Sequence, residues 1–138
     1  MSVKPSPQLD TYVRAVLGKK AESVVILGVQ ALTSLADAFI VCSGRSNRQV
    51  MAIAEHIKVA LKQQGKQALR IEGLKEGHWV LMDYGDVIIH IFYDPVRRFY
   101  DLEGLWADAP RLQTPALEEW RRRQAAEGTF DNADPDGA

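Results

Sequence analysis

The chain has 138 residues, 46% of them hydrophobic, with 17 lysines and arginines against 18 aspartates and glutamates and a formal net charge of -1. That length suits one domain with a real core and leaves no room for a second full one. Near-neutrality without a basic stripe argues against tight binding along nucleic acid backbones, and direct sequence-specific nucleic acid recognition is not expected.

The start, MSVKPSPQLD, lacks the apolar centre of a signal peptide, and no apolar run approaches the ~20 residues of a membrane span. A soluble, cytoplasmic protein is expected. Leu9, Tyr12, Val13, Val16 and Leu17 fall on one face of a first helix, with Ser6-Pro7 ahead as cap and first-turn pair. Ser23 to Val29 and Ala36 to Ser43 are β-branched, apolar runs that read as strands. The linker QALTSL is too short for a crossover helix, so the two should form an antiparallel hairpin. Cys42, the single cysteine, has no partner for a disulfide or a zinc pattern and reads as a core thiol.

Ser46 and Gln49 form a capping-box pattern, and Val50, Ile53, Ala54, Ile57 and Leu61 make an apolar stripe at helical spacing. A long helix over residues 47–64 follows, ended by Gly65, and Gln67 to Glu72 reads as a short strand. Strand, helix, strand is the order of a right-handed crossover joining a parallel pair. Trp79 to Tyr84 and Val87 to Tyr93 flank Gly85-Asp86, a two-residue hairpin turn of type II′ character. The fold class is therefore mixed α/β, or α+β, with a five-stranded mixed sheet flanked by helices.

The hairpin turn sets a register in which Tyr84 opposes Val87, Asp83 opposes Ile88, Leu81 opposes His90 and Trp79 opposes Phe92. One face then carries Val80, Met82, Tyr84, Val87, Ile89, Ile91 and Tyr93. The other carries Trp79, Leu81, Asp83, Ile88, His90 and Phe92, with Asp83 and His90 diagonal to one another. Beyond Trp106 the pattern loosens until Thr114-Pro115 opens a helix, PALEEWRRRQAAE, with Glu118 to Arg122 and Glu119 to Arg123 as i,i+4 pairs. Residues 113–127 are assigned to that helix and 128–138, GTFDNADPDGA, to an acidic disordered tail.

Three groups invite a chemical reading. The turn SGRSNRQ places glycine, Arg45 and Arg48 before a helix N-terminus, which attracts anions, yet it lacks the spacing of a phosphate loop and better suits an ordinary capped strand-to-helix turn. Asp83 and His90 are acceptable as base and orienter or as metal ligands, but neither strand carries D-x-D or H-x-x-x-H, so a two-metal site lacks its carboxylates. Their simpler role is to satisfy one another or nearby backbone beneath a loop. Trp79, Arg97, Arg98, Tyr100, Trp106, Asp83 and Glu103 together supply the aromatic and arginine mix of an interaction hot spot, although each aromatic alone would pass for core.

The blocks SLADAFIVCSGRSNRQVMAIAEHI, IEG and HWVLMDYGDVIIHIFYDPVRRFYDLEGLW, in this order and spacing, resemble the Iojap family, whose bacterial members are ribosomal silencing factors. The resemblance runs from Ala21 to Leu112, so residues 1–112 are read as the family's domain. It implies a topology related to nucleotidyltransferases without their catalytic carboxylates, a homodimer, no cofactor or metal, and no catalysed reaction. It also implies binding to the large ribosomal subunit through its protein fourteen, which blocks joining of the small subunit and represses translation in starvation or stationary phase. Carried over by position, Trp79, Asp83, Tyr84, Arg97, Tyr100, Leu102, Glu103 and Trp106 are the expected partner-binding residues, and Glu72, Gly73, Gly85 and His90 the supporting ones. Ala38 stands where many relatives have an aromatic and Gly104 where a basic residue is frequent. An assembly factor for the large subunit, or a nucleotidyltransferase-like enzyme using Asp83, His90 and the SGRSNRQ turn, are the alternatives.

Overall fold

The computed structural model describes residues 7–132. Helix α1 (Leu9–Leu17) turns Leu9, Tyr12, Val13 and Val16 inward as their spacing requires. Its N-cap position is Gln8, which makes no side-chain cap bond, and the expected cap Ser6 lies outside the described residues. Strands β1 (Glu22–Gly28) and β2 (Ala38–Gly44) pair antiparallel, as the short linker demands, with an irregularity between Glu22 and Val25 where Ser23 takes φ +52°. Cys42 sits in fully buried β2, and burial pushes its thiol up to about 12, which keeps it un-ionised.

Helix α2 (Asn47–Gln63) is capped as its sequence signals: the Gln49 amide donates to Ser46 Oγ at 3.0 Å. The return bond shifts by one residue, because Gln49 Oε1 accepts from the Arg45 amide at 2.6 Å. Ser46 and Gln49 of the SGRSNRQ turn are thus spent on the cap, and Arg45 pairs with Glu22 at 2.5 Å, the arrangement of an ordinary strand-to-helix turn.

Strands β3 (Arg70–Glu72), β4 (Trp79–Asp83) and β5 (Val87–Tyr93) complete a five-stranded mixed sheet in the order β1-β2-β5-β4-β3. One expectation is corrected here. The strand reached by the α2 crossover, β3, does not pair with β2; it runs parallel to it from the far edge, and the parallel partner of β2 is β5. Burial explains the choice. β2 and β5 bury nearly every residue on both faces and belong at the centre, whereas three-residue β3 has exposed Arg70 and Glu72 and suits an edge. The β4–β5 register is the one the turn sets, with Trp79 opposite Phe92 and Leu81 opposite His90. Gly85 at φ +92°, with Asp86 on the ordinary side of φ, matches a type II′ turn.

Helices α1, α2 and α5 (Pro115–Asn132) cover one sheet face over a core that includes Ile53, Ile57, Ile89, Ile91 and Leu117. Helix α5 continues to Asn132, so residues 128–132, expected in the tail, are helical, while 133–138 lie outside the described residues. Its docking is specific: the Ala116 amide donates to Asp10 Oδ1 at 3.1 Å, and Leu117 is fully buried. Of the two expected pairs on α5, Glu119 with Arg123 forms at 2.6 Å. The segment leading into α5 shields the outer edge of β1, where Gly28 donates to the Pro110 carbonyl at 2.8 Å and Leu112 to that of Ile26 at 2.9 Å. The opposite sheet face carries a second core of Leu27, Phe39, Val41, Phe92 and Leu102 beneath α3 (Asp94–Tyr100) and α4 (Leu102–Leu105).

Candidate interaction surface

The two short helices at the end of β5 form a tight corner. Pro95 lies in the first turn of α3, and the chain reverses at Asp101, a non-glycine residue at φ +47° whose carboxylate caps α4 through the Gly104 amide. Glycine at 104 has a local reason: a Cβ there would lie 2.1 Å from Asp101 Oδ2 and would displace the cap.

Arg97 holds this corner to the sheet. The guanidinium is buried; its Nε and Nη2 donate to the two Glu103 oxygens at 2.8 and 3.1 Å, and Nη1 donates to the Ser23 carbonyl and to Ser43 Oγ, both at 2.8 Å. One side chain so ties α3, α4, the irregular start of β1 and the end of β2 together. Fork-to-fork geometry of this kind is among the strongest ion-pair arrangements. The hydrogen bonds from Arg97 hold the Glu103 carboxyl below its usual range. Both residues, expected to meet a partner, are engaged within the chain.

A continuous aromatic seam runs from the sheet to this corner. Trp79 stacks on Phe92 with centroids 4.8 Å apart and meets Tyr100 at 5.1 Å, while Trp106 stands edge-on to Phe39 at 5.2 Å. Trp79 Nε1 donates to Nδ1 of buried His90 at 3.1 Å, which fixes the plane of the indole. Burial lowers the His90 pKa to about 4. The diagonal pair considered for catalysis does not form. Asp83 Oδ1 instead accepts from the Gly85 amide at 2.8 Å, and Oδ2 lies 3.5 Å from Arg70 Nε.

The expected residues therefore divide. Trp79, Tyr100, Trp106 and buried Leu102 gather on the α3–α4 face with the Arg97–Glu103 clasp. Tyr84 does not join them: it lies on the opposite sheet face against Tyr12, at 5.5 Å, where burial and Tyr12 push its phenol up to about 12. Glu72 is exposed on the β3 edge beside Arg70, at 2.9 Å. Gly73, at φ +83°, lets the chain pass Trp79, since a Cβ would fall 1.9 Å from the Trp79 carbonyl oxygen.

Two groups were not anticipated from sequence. Phe99 is 81% exposed and edge-on to half-exposed Tyr100, and Leu105 on α4 is 76% exposed; no described residue covers these apolar groups. A groove of about 420 Å³ opens between α3 and the loop before β4, lined by Glu76, His78, Trp79, Pro95, Phe99 and Tyr100, among others. Phe99 lay within the quoted motif between Arg98 and Tyr100, but its exposure depends on the reversal at Asp101, which no local pattern announces.

Comparison with known proteins gives a consistent result. The family model described as "Ribosomal silencing factor during starvation" matches residues 3–136, a span that runs past Leu112 through the C-terminal helix. The chain is 44% identical over 105 residues to the ribosomal silencing factor of Halalkalibacterium halodurans, covering 76% of this chain and 90% of that one. It is 44% identical over 92 residues to the Bacillus subtilis factor, covering 67% and 78%. A crystal structure of a Bacillus halodurans protein superposes with a TM-score of 0.69 at 40% identity, over 78% of this chain and 97% of that one. The chain belongs to the ribosomal silencing factor family.

Proposed function

We propose that this member of the ribosomal silencing factor family binds the large ribosomal subunit, through its protein fourteen, and blocks joining of the small subunit by occupying the joining face. It acts in the cytoplasm by occupancy and catalyses no reaction. The observation that carries the reading, beside family membership, is the exposure of Phe99, Tyr100 and Leu105 on a corner immobilised by the Arg97 clasp. Uncovered aromatic groups on a rigid frame are what an interface core requires, because ordering them on binding costs little.

The contacting residues are Tyr100, Trp106 and the exposed edge of Trp79, with Asp101 beside them and Asp83 farther along β4 steering toward a basic partner. Arg97, Glu103 and Leu102 hold the surface from behind. Tyr84 and His90 serve the fold, and the protein acts as a homodimer. The test is centrifugation of purified subunits. The protein should sediment with the large subunit and lower the fraction of intact ribosomes; failure of both at saturation contradicts the reading. Binding only to immature large subunits would transfer the same surface to an assembly role.

A further inference from the structure

The groove beside the aromatic patch has a chemistry of its own. Three rings border it: Trp79 meets Tyr100 at 5.1 Å and 47°, and Phe99 meets Tyr100 edge-on at 5.2 Å and 87°. The indole N–H of Trp79 is turned inward to His90, so its polar edge is engaged and the ring orientation is set before anything binds. Glu76 supplies a carboxylate in the wall, and no lysine or arginine lines the groove.

The chain segment that forms the groove is acidic in its overall balance. Between residues 70 and 108 eight acidic side chains stand against four basic ones. Three of those four are already engaged, Arg97 with Glu103, Arg98 with Asp94, and Arg70 with Glu72 and Asp83, while the fourth, exposed Lys75, precedes Glu76 but does not line the groove. A carboxylate in the wall and the negative faces of aromatic rings attract a cation and disfavour an anion. An aliphatic group would satisfy the rings but leave the Glu76 carboxylate desolvated and without a partner.

We infer that this groove is the receptor for one arginine or lysine side chain of a basic protein partner, held over Trp79, Tyr100 and Phe99 and paired with Glu76. The inference rests on the docking reading above and assigns Glu76 and Phe99 as specificity-determining residues within it. Both are exposed, so their replacement tests recognition without endangering the fold.

The test titrates the full chain with N-acetyl-arginine methylamide and, in parallel, its neutral isostere N-acetyl-citrulline methylamide, following the ring signals of Phe99 and Tyr100 by NMR at low salt. The arginine compound should bind about two- to fivefold more tightly, the ratio expected of an exposed cation–π contact. Glu76→Gln should bring the ratio toward one, and Phe99→Ala should weaken the arginine compound several-fold. Equal affinities, or no response to either probe, overturn the inference. Glu76→Gln should also weaken sedimentation with the large subunit, and an unchanged value overturns the groove's part in docking. If the unaltered protein does not sediment with the subunit at all, the docking reading fails, while the probe titration still decides what the groove binds.

Discussion

Because Trp79 Nε1 donates to Nδ1 of His90, the imidazole proton must reside on Nε2, and that buried atom finds no acceptor among the described residues. The ring is therefore held neutral in an unfavourable setting, and its pKa falls to about 4 from an ordinary 6.5. The sign of the linkage follows. Between those values the unfolded chain takes up a proton that the native state refuses, so this contribution is complete above pH 6.5 and is lost as pH falls through about 4. The shift corresponds to about 3 kcal/mol. Urea unfolding at pH 7 and pH 4 should show a fall of that order, and His90→Phe should flatten it; an unchanged slope in the variant would assign the pH dependence elsewhere. Arg97 makes a second prediction at this scale. Replacing it by methionine removes four hydrogen bonds from one buried group and should cost about 3 kcal/mol, whereas Arg70→Met, in an exposed pair, should cost under about 1 kcal/mol. Comparable losses in urea unfolding would mean that the clasp contributes no more than a surface ion pair.

Among the elements, the connection from β3 to β4 is the most tightly constrained. Gly73→Ala sets a Cβ against the Trp79 backbone at a positive φ and should lower the melting temperature well beyond Gly65→Ala, where φ is +76° but nothing stands within 4 Å of the added carbon. Equal losses would show that φ alone is limiting. The β4–β5 hairpin was legible in the sequence to the residue, because alternation of period two and a two-residue turn leave one register that buries Val80, Met82, Ile89 and Ile91 together. Helix α2 was equally legible from its cap and stripe. Sheet order was not: the place of β3 depends on which strands bury both faces, a competition among segments far apart in the chain. The candidate surface was legible as a cluster but not in which of its side chains turn inward. Nothing local in RRFYDLEGLW says that Arg97 turns inward to Ser23 and Ser43 while Phe99 turns outward, because both follow from the left-handed turn at Asp101 and the close approach of β1. Tyr84 belonged to the other face by simple alternation, and the hairpin reading already placed it there.

At the scale of the whole molecule, the five-stranded sheet separates two unlike surfaces. Helices α1, α2 and α5 cover one side, with Arg122 exposed on α5, and the aromatic corner of α3 and α4 caps the other. If silencing is exclusion by occupancy, the corner must reach the ribosome and the helix layer need not. The proposal therefore turns on sedimentation of the large subunit with three forms of the protein: unaltered, Tyr100→Ala and Arg122→Ala. Truncating an aromatic anchor in an interface core typically costs about 2 kcal/mol or more, so Tyr100→Ala should weaken binding by roughly 30-fold and restore subunit joining in proportion, while Arg122→Ala should leave both unchanged. Equal binding by all three forms, or a loss confined to Arg122→Ala, would contradict the assignment of the α3–α4 corner as the ribosome-facing surface.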